Sequence, residues 1–231
     1  VAPLPVPRNG SIITFGFDDC PRSVVETALP MLEARDWRAT IYIACGLCET
    51  TNHLGLHMSL QDVVDSHERG HEIADHTFSH ITAHKISVKK YLADIERNQK
   101  VLSALGIPPS ENFAFPFGHV TRKIKHALRG RFTTLRGVIA PHTPDQDANL
   151  LPAVRLYSGD DLDDAIARIL ATKETPQWLN LFTPDVRDNP SIFGCTQDDL
   201  QRVIEAVAQS GARVMTARDA VKTLRSESEV V

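Results

Sequence analysis

Ile12-Ile13-Thr14-Phe15-Gly16-Phe17-Asp18-Asp19 is a run of β-branched and aromatic residues that stops at two adjacent carboxylates, with Pro21 just beyond. Such a run is a buried strand ending in a loop, and it leaves both acids at the strand's C-terminal end. Outward from it, apolar Val24, Val25, Ala28, Leu29 and Leu32 recur at helical spacing, and residues 40–44 read as a second strand, which completes a β-α-β unit. Helices are predicted over 60–68, 88–105, 123–128, 161–170 and 198–209, and strands over 72–74, 112–115, 178–182 and 213–216. Thr196 caps the helix at 198–209 and Gly211 follows its end. Strands alternating with helices imply a mainly parallel sheet, open or closed into a barrel, and no internal repeat is visible.

The bulk composition narrows the function. At 231 residues, 42% hydrophobic and 23% charged, the chain can bury a core without covalent staples. Nothing between Ile12 and Leu224 reads as a flexible linker, so a single domain over 1–231 is expected, with extended or disordered tails at 1–10 and 225–231. A net charge of −4 without basic-aromatic clusters argues against nucleic acid as a partner. No stretch approaches the roughly 20 apolar residues of a membrane span, so a soluble protein is expected. No signal peptide is visible, but an opening without Met leaves room for one already removed; a cytoplasmic and a processed extracytoplasmic protein both stay open. Four cysteines are too few for a disulfide scaffold, and Cys45 and Cys48 lack the second pair that would complete a four-cysteine metal site.

His76-Thr77-Phe78-Ser79-His80 places two imidazoles four residues apart, which on a helical turn brings them about 5–6 Å from each other. The spacing alone is weak, because His53/His57, His67/His71 and His80/His84 share it; Gly55 and Gly70 interrupt the first two pairs, which read as surface or cap histidines. Context favours His76 and His80, since they leave a strand end as Asp18 and Asp19 do, and strand ends of parallel α/β folds gather on one rim. One carboxylate with two imidazoles is a three-ligand set for a hydrolytic metal. Two adjacent carboxylates also permit a division of labour, one on the metal and one as base toward the attacking water. A strand-end turn or helix cap is the plainer reading of the paired acids. A 2-His-1-carboxylate site for iron and a purely structural zinc are the rival metal readings, and both explain less.

With these residues in place the chain resembles the polysaccharide deacetylases, the carbohydrate esterase family 4 or NodB-homology domain. Phe17-Asp18-Asp19 is similar to the family's first motif, and Gly70-His71-Glu72-Ile73 followed by His76 to His80 to its second. Phe113-Ala114-Phe115-Pro116-Phe117-Gly118 resembles the Pro-aromatic-Gly loop of a subgroup that has Ala where many members carry Arg. The resemblance implies a distorted (β/α) barrel of about seven parallel strands and a hydrolase acting on N- or O-acetylated sugars. It further implies Asp18 as base, and Asp19, His76 and His80 around one divalent ion, zinc before cobalt, nickel or manganese. Pro116, Phe117 and Gly118 would meet the substrate, with the Phe117 N–H at the oxyanion.

One departure is informative. Where the subgroup ends a later strand in Thr-His-Asp-Val, with that His as general acid, this chain has Thr183-Pro184-Asp185-Val186, and proline cannot donate a proton. Losing a positioned acid typically costs about 10²–10⁴-fold, so turnover would be weakened, less for an ester than for an amide. His142, His119 and Asp185 are the candidate replacements, and Arg155 the candidate to orient Asp18. A carbohydrate-binding relative that kept the metal site and lost turnover is the alternative. Oligomeric state is open.

Overall fold

The computed structural model describes residues 2–138 and 146–229. Its main sheet contains β1 (Ile12–Asp18), β2 (Thr40–Ile43), β3 (Glu72–Asp75), β4 (Asn112–Ala114), β5 (Thr134–Arg136), β6 (Val154–Arg155), β7 (Trp178–Thr183) and β8 (Arg213–Val214). All pair in parallel, in the order β6-β7-β1-β2-β3-β4-β5. β8 lies beside the first half of β1 at Ile12 and Ile13, while β2 takes the same side of its second half from Gly16 to Asp18. Beyond β5, the Leu151 N–H donates to the Leu135 carbonyl and the Gly137 N–H to the Leu151 carbonyl, three residues before the chain enters β6 at the other edge. The sheet thereby curls toward closure as a distorted barrel, the architecture that the resemblance implies.

Strand alternation sorts the side chains into two sets. Ile13, Phe15, Phe17, Ile41, Ile43 and Ile73 pack outward into the largest core cluster, together with Leu162 of α5 (Asp160–Ala171) and Val203 of α6 (Gln197–Ser210). The inward set is polar at one level and crowded at the next. Thr40 Oγ1 and Asn112 Nδ2 donate to the buried Glu72, Thr134 Oγ1 donates to Asn112, and the Arg218 N–H of α7 (Ala217–Glu229) also donates to Glu72. A carboxylate at a helix N-terminus is stabilised by the helix dipole, which is how this end of the barrel accommodates an anion. Above that level, Gly16, Ala74 and Ala114 leave room for Tyr42 and Arg136; a Cβ on Gly16 would stand 3.1 Å from the Leu181 carbonyl oxygen.

The structure departs from the sequence reading at several places. Residues 23–34 form one turn of π-helix, Val24–Ala28, and then α1 (Leu29–Glu33); Pro30 has no N–H to give, so the turn before it widens. β5 and β6 were not predicted, and α7 runs through 225–229, where a tail was expected. Its amphipathic face buries Ala217, Ala220, Val221 and Leu224. Pro3–Leu4, within the other expected tail, pairs antiparallel with Gln146–Asp147.

His57 and His71, read as surface histidines, are both buried. The Ala39 N–H donates to His71 Nδ1, and His71 Nε2 donates to Glu33 Oε1 at 2.7 Å, which joins the strand-turn segment to α1. Burial outweighs the pull of Glu33 and lowers the His71 pKa from the ordinary 6.5. Acid therefore protonates the unfolded chain first, and the stability His71 contributes is present above 6.5 and lost as pH falls below it through the lowered folded value. Urea unfolding at about pH 7.5 and about pH 5.5 is expected to show a loss of stability on acidification that is smaller in His71→Gln. An equal slope in the variant would remove His71 as its source.

Candidate functional site

Asp18 ends β1, His76 follows β3 and Pro116 follows β4, so three C-terminal strand ends supply the groups that meet on one rim. The backbone at this rim is bent into conformations that L-residues rarely adopt. Asp19, Cys20, Thr77, His80 and Phe117 all have positive φ, between 49° and 67°. The Cys20 N–H donates back to the Asp18 carbonyl at 2.6 Å, a γ-turn centred on Asp19. His76 to His80 is not a helical turn, as the spacing suggested, but a loop with left-handed residues at Thr77 and His80. It is held by named contacts: the Thr77 N–H donates to Asp75, Ser79 donates through both N–H and Oγ to Asp94 of α3 (Val88–Ala104), and the Gly46 N–H donates to the Phe78 carbonyl. A Cβ on Gly46 would lie 2.5 Å from that carbonyl oxygen, so only glycine allows the approach.

These bends bring Asp19, His76 and His80 together, with one ligand atom from each inside a 4.8 Å span. Asp19 Oδ1 lies 2.8 Å from His80 Nε2 and 3.3 Å from His76 Nε2, yet neither nitrogen is aligned to hydrogen-bond to it, and this buried oxygen has no other partner among the described residues. A tetrahedral ion with bonds of 2.0–2.1 Å separates its donor atoms by about 3.3 Å, close to these spacings. His76 Nδ1 donates to the Ala114 carbonyl at 2.8 Å, which leaves the Nε2 lone pair on the Asp19 side. Burial would raise the Asp19 pKa, but the two imidazoles outweigh it and hold the carboxyl far below the usual carboxylate range. The residues present thus fit a divalent cation.

Beside this group Asp18, only 8% exposed, receives a bond from Arg136 Nη2 at 2.5 Å. Arg136 is buried inside the barrel, its guanidinium 4.6 Å from the Tyr42 ring centre and 4.9 Å from that of Phe182. Burial disfavours its charge, and Asp18 more than compensates. This corrects the reading of Arg155, which is half exposed and lies 3.9 Å from Asp161 at the cleft mouth. Sequence reasoning missed Arg136, because what brings it here is the register of β5 against β4, which sets Arg136 opposite Ala114.

Asp18, Asp19, His76 and His80 open on a cleft of about 580 Å³ that is also lined by Phe117, Gly118, Tyr157, Pro184 and His53. Phe117 is 58% exposed and packs against His80, with ring centres 4.3 Å apart; among the described residues nothing accepts its N–H. Gly118, at φ 65°, faces Val138 so closely that no Cβ would fit. The candidate replacements for the missing acid fare differently. Asp185 is fully buried and accepts from Arg187 Nε, Ser191 N–H and Ser191 Oγ, so it serves the scaffold and faces no substrate, which corrects that expectation. His119 is bonded to Thr82 and stacked on His84 outside the cleft lining. His142 lies outside the described residues.

Arg136 and Asp18 compensate each other's burial, so removing one strands the other. Arg136→Met is expected to lower unfolding stability by about 3 kcal/mol, in the range for breaking a buried pair. The Asp18→Asn/Arg136→Met double variant is expected to be less destabilised than the sum of the two single changes. Denaturant titration of the four proteins checks this, and strict additivity would show that the two groups are not coupled.

The polysaccharide deacetylase family profile matches residues 6–130, more than half of the chain, including both acids, both histidines and the Pro116-Phe117-Gly118 turn. No curated protein matches the sequence. Among solved structures, the chitin deacetylase of Colletotrichum lindemuthianum superposes with a TM-score of 0.68 at 12% identity, covering 94% of this chain and 90% of that one. The Xyl-CE4 domain of a multidomain xylanase from the hindgut metagenome of Trinervitermes trinervoides gives 0.65 at 16% identity, covering 96% and 93%. A family 4 acetyl xylan esterase from Clostridium thermocellum, in complex with a cobalt ion, gives 0.61 at 16% identity, covering 90% and 89%. At these identities the likeness carries the fold, while the profile carries the kinship: this chain belongs to the polysaccharide deacetylase family.

Proposed function

We propose that this protein is a metal-dependent hydrolase that removes acetyl groups from N- or O-acetylated sugars of a polysaccharide or glycoconjugate. The observation that carries the reading is the convergence of Asp19 with His76 and His80 next to a second, separately held carboxylate, Asp18. Asp19, His76 and His80 would hold the ion, zinc in the first instance. When bound, a divalent cation supplies Lewis acidity, polarising the acyl carbonyl and lowering the pKa of water.

The chain's own groups do the rest. Asp18, oriented by Arg136, takes the proton of the attacking water. The Phe117 N–H, turned outward by the positive φ of its residue, donates to the oxygen that gains charge as the carbonyl carbon becomes tetrahedral. Phe117 presents an exposed apolar face against which a pyranose ring can pack, whereas Pro116, expected to meet the substrate, is buried and lies outside the cleft lining. Both linkage types are represented among the structural relatives, by a chitin deacetylase and an acetyl xylan esterase. A second reading, sugar binding without turnover, is favoured by one observation: Pro184 lines the cleft where the family's acid is expected, and Asp185 beside it is locked into the scaffold.

Loaded with zinc, the protein is expected to release acetate from acetylated chitooligosaccharide, xylan or peptidoglycan fragments, and Asp18→Asn to slow this by about 10²–10⁴-fold. Elemental analysis is expected to find bound metal in the parent protein and none in His76→Ala. Absence of bound metal in the reconstituted parent would end the metal-dependent reading. Sugar binding by calorimetry without acetate release, with release appearing in Pro184→His, would establish the second reading instead.

A further inference from the structure

The cleft contains an imidazole that the reaction as described does not use. His53 sits at the tip of a small antiparallel ribbon, Thr51–Asn52 paired with Gly55–Leu56, and lines the same cleft as Asp18, Asp19 and Pro184. The ribbon is tied down at both ends. At its stem the Met58 N–H donates to the Cys20 carbonyl and His57 bridges to Pro21, immediately after Asp19. At its tip Arg187 Nη2 donates to the His53 carbonyl at 3.0 Å, while Arg187 Nε is fixed by Asp185, the residue after Pro184. Gly55 lies so close that a Cβ there would be 3.0 Å from Arg187 Nη1. The tip is therefore docked on the loop that follows Pro184, and His53 and Pro184 line the same cleft.

Resting on the deacetylase reading, we infer that His53 is the catalytic proton donor to the leaving group, supplied from the ribbon in place of a residue at the end of β7. Arg155 and Tyr157, which also line the cleft, suit this task poorly. Arg155 does not release its proton and pairs with Asp161. Tyr157 packs edge-on against Phe182 and Phe193, and burial raises its phenol well above the ordinary range. The His53 ring makes no hydrogen bond among the described residues, and imidazole is the side chain that most often passes a proton to a departing group.

The step balances as a hydrolysis. As the C–N bond of the tetrahedral species breaks, its electron pair goes to nitrogen, which takes the imidazolium proton and leaves as the sugar amine. The carbonyl re-forms as acetate, and the proton that Asp18 removed from water replaces, through solvent, the one that His53 gave.

The test compares two leaving groups in the zinc-loaded protein. An amide nitrogen of an acetylated chitooligosaccharide needs protonation to depart, whereas the aryl oxide of 4-nitrophenyl acetate departs unaided. His53→Gln preserves the backbone carbonyl that Arg187 binds, and its thermal midpoint, read alongside, confirms that the ribbon's anchor survives. The ratio of amide to aryl-ester rates is expected to fall by about 10²-fold or more in His53→Gln. If the parent hydrolyses both substrates and the variant lowers both alike, or neither, the deacetylase reading stands and the donor role is overturned. If the parent hydrolyses neither, the deacetylase reading falls and the donor role with it.

Discussion

A guanidinium buried inside a parallel barrel must meet a carboxylate, and the meeting of Arg136 with Asp18 organises this molecule's rim. The contact requires small residues on three strands: Gly16 on β1, Ala74 on β3 and Ala114 on β4 make the space that the rings of Tyr42 and Phe182 then narrow to a slot. A slot of that shape favours arginine over lysine, because a planar cation can stack on rings and still reach an acid at its edge. It also dictates which oxygen of Asp18 is engaged, leaving the other free of that contact. At the next level down Glu72 accepts from Thr40, Asn112 and the first turn of α7, so a hydrogen-bonded polar cluster lies beneath the level that carries Asp18 and Arg136.

The reactive layer is assembled from backbone held under tension. A γ-turn at Asp19 and left-handed residues at Thr77, His80 and Phe117 are each unfavourable alone, and they persist because neighbours over-determine them. Asp94 grips Ser79 with both oxygens, Gly46 admits the Phe78 carbonyl, and Asp75 receives Asn98, Gln99 and the Thr77 N–H. Such strain aims the side chains. Without the turn at Asp19 its carboxylate would continue the strand's alternation and face the outer core, away from His76 and His80.

How legible all this is in the sequence depends on the range of the interaction. β1, β2, β7 and the helices over 60–68 and 197–210 announce themselves because their signals, β-branched runs and capping boxes at Ser59 and Thr196, are local. β5 and β6 have three and two residues, each carrying an arginine, and become strands only through long-range parallel pairing, β5 with β4 and β6 with β7. Asp19, His76 and His80 are legible as types at strand ends, but their loop is not, since left-handed backbone at Thr77 and His80 has no glycine to signal it. Arg136 is hidden for a related reason: only the register between β4 and β5 sets it against Ala114 and so within reach of Asp18. Asp185 looked like a free acid because the sequence does not reveal that Arg187 and Ser191 fold back on it.

That last network changes the meaning of the proline before it. Pro184 shares the cleft lining with the apolar Phe182, Ile192 and Phe193, and Ile192 is 85% exposed. An apolar wall does not solvate a departing amine, and it weakens the dielectric screening of charges across from it. Under the proposed deacetylation, a substrate would place its acyl carbonyl toward the Asp19 cluster and its C–H faces toward the apolar lining. The leaving nitrogen or oxygen would then meet the remaining polar border of the cleft, to which the docked ribbon contributes His53.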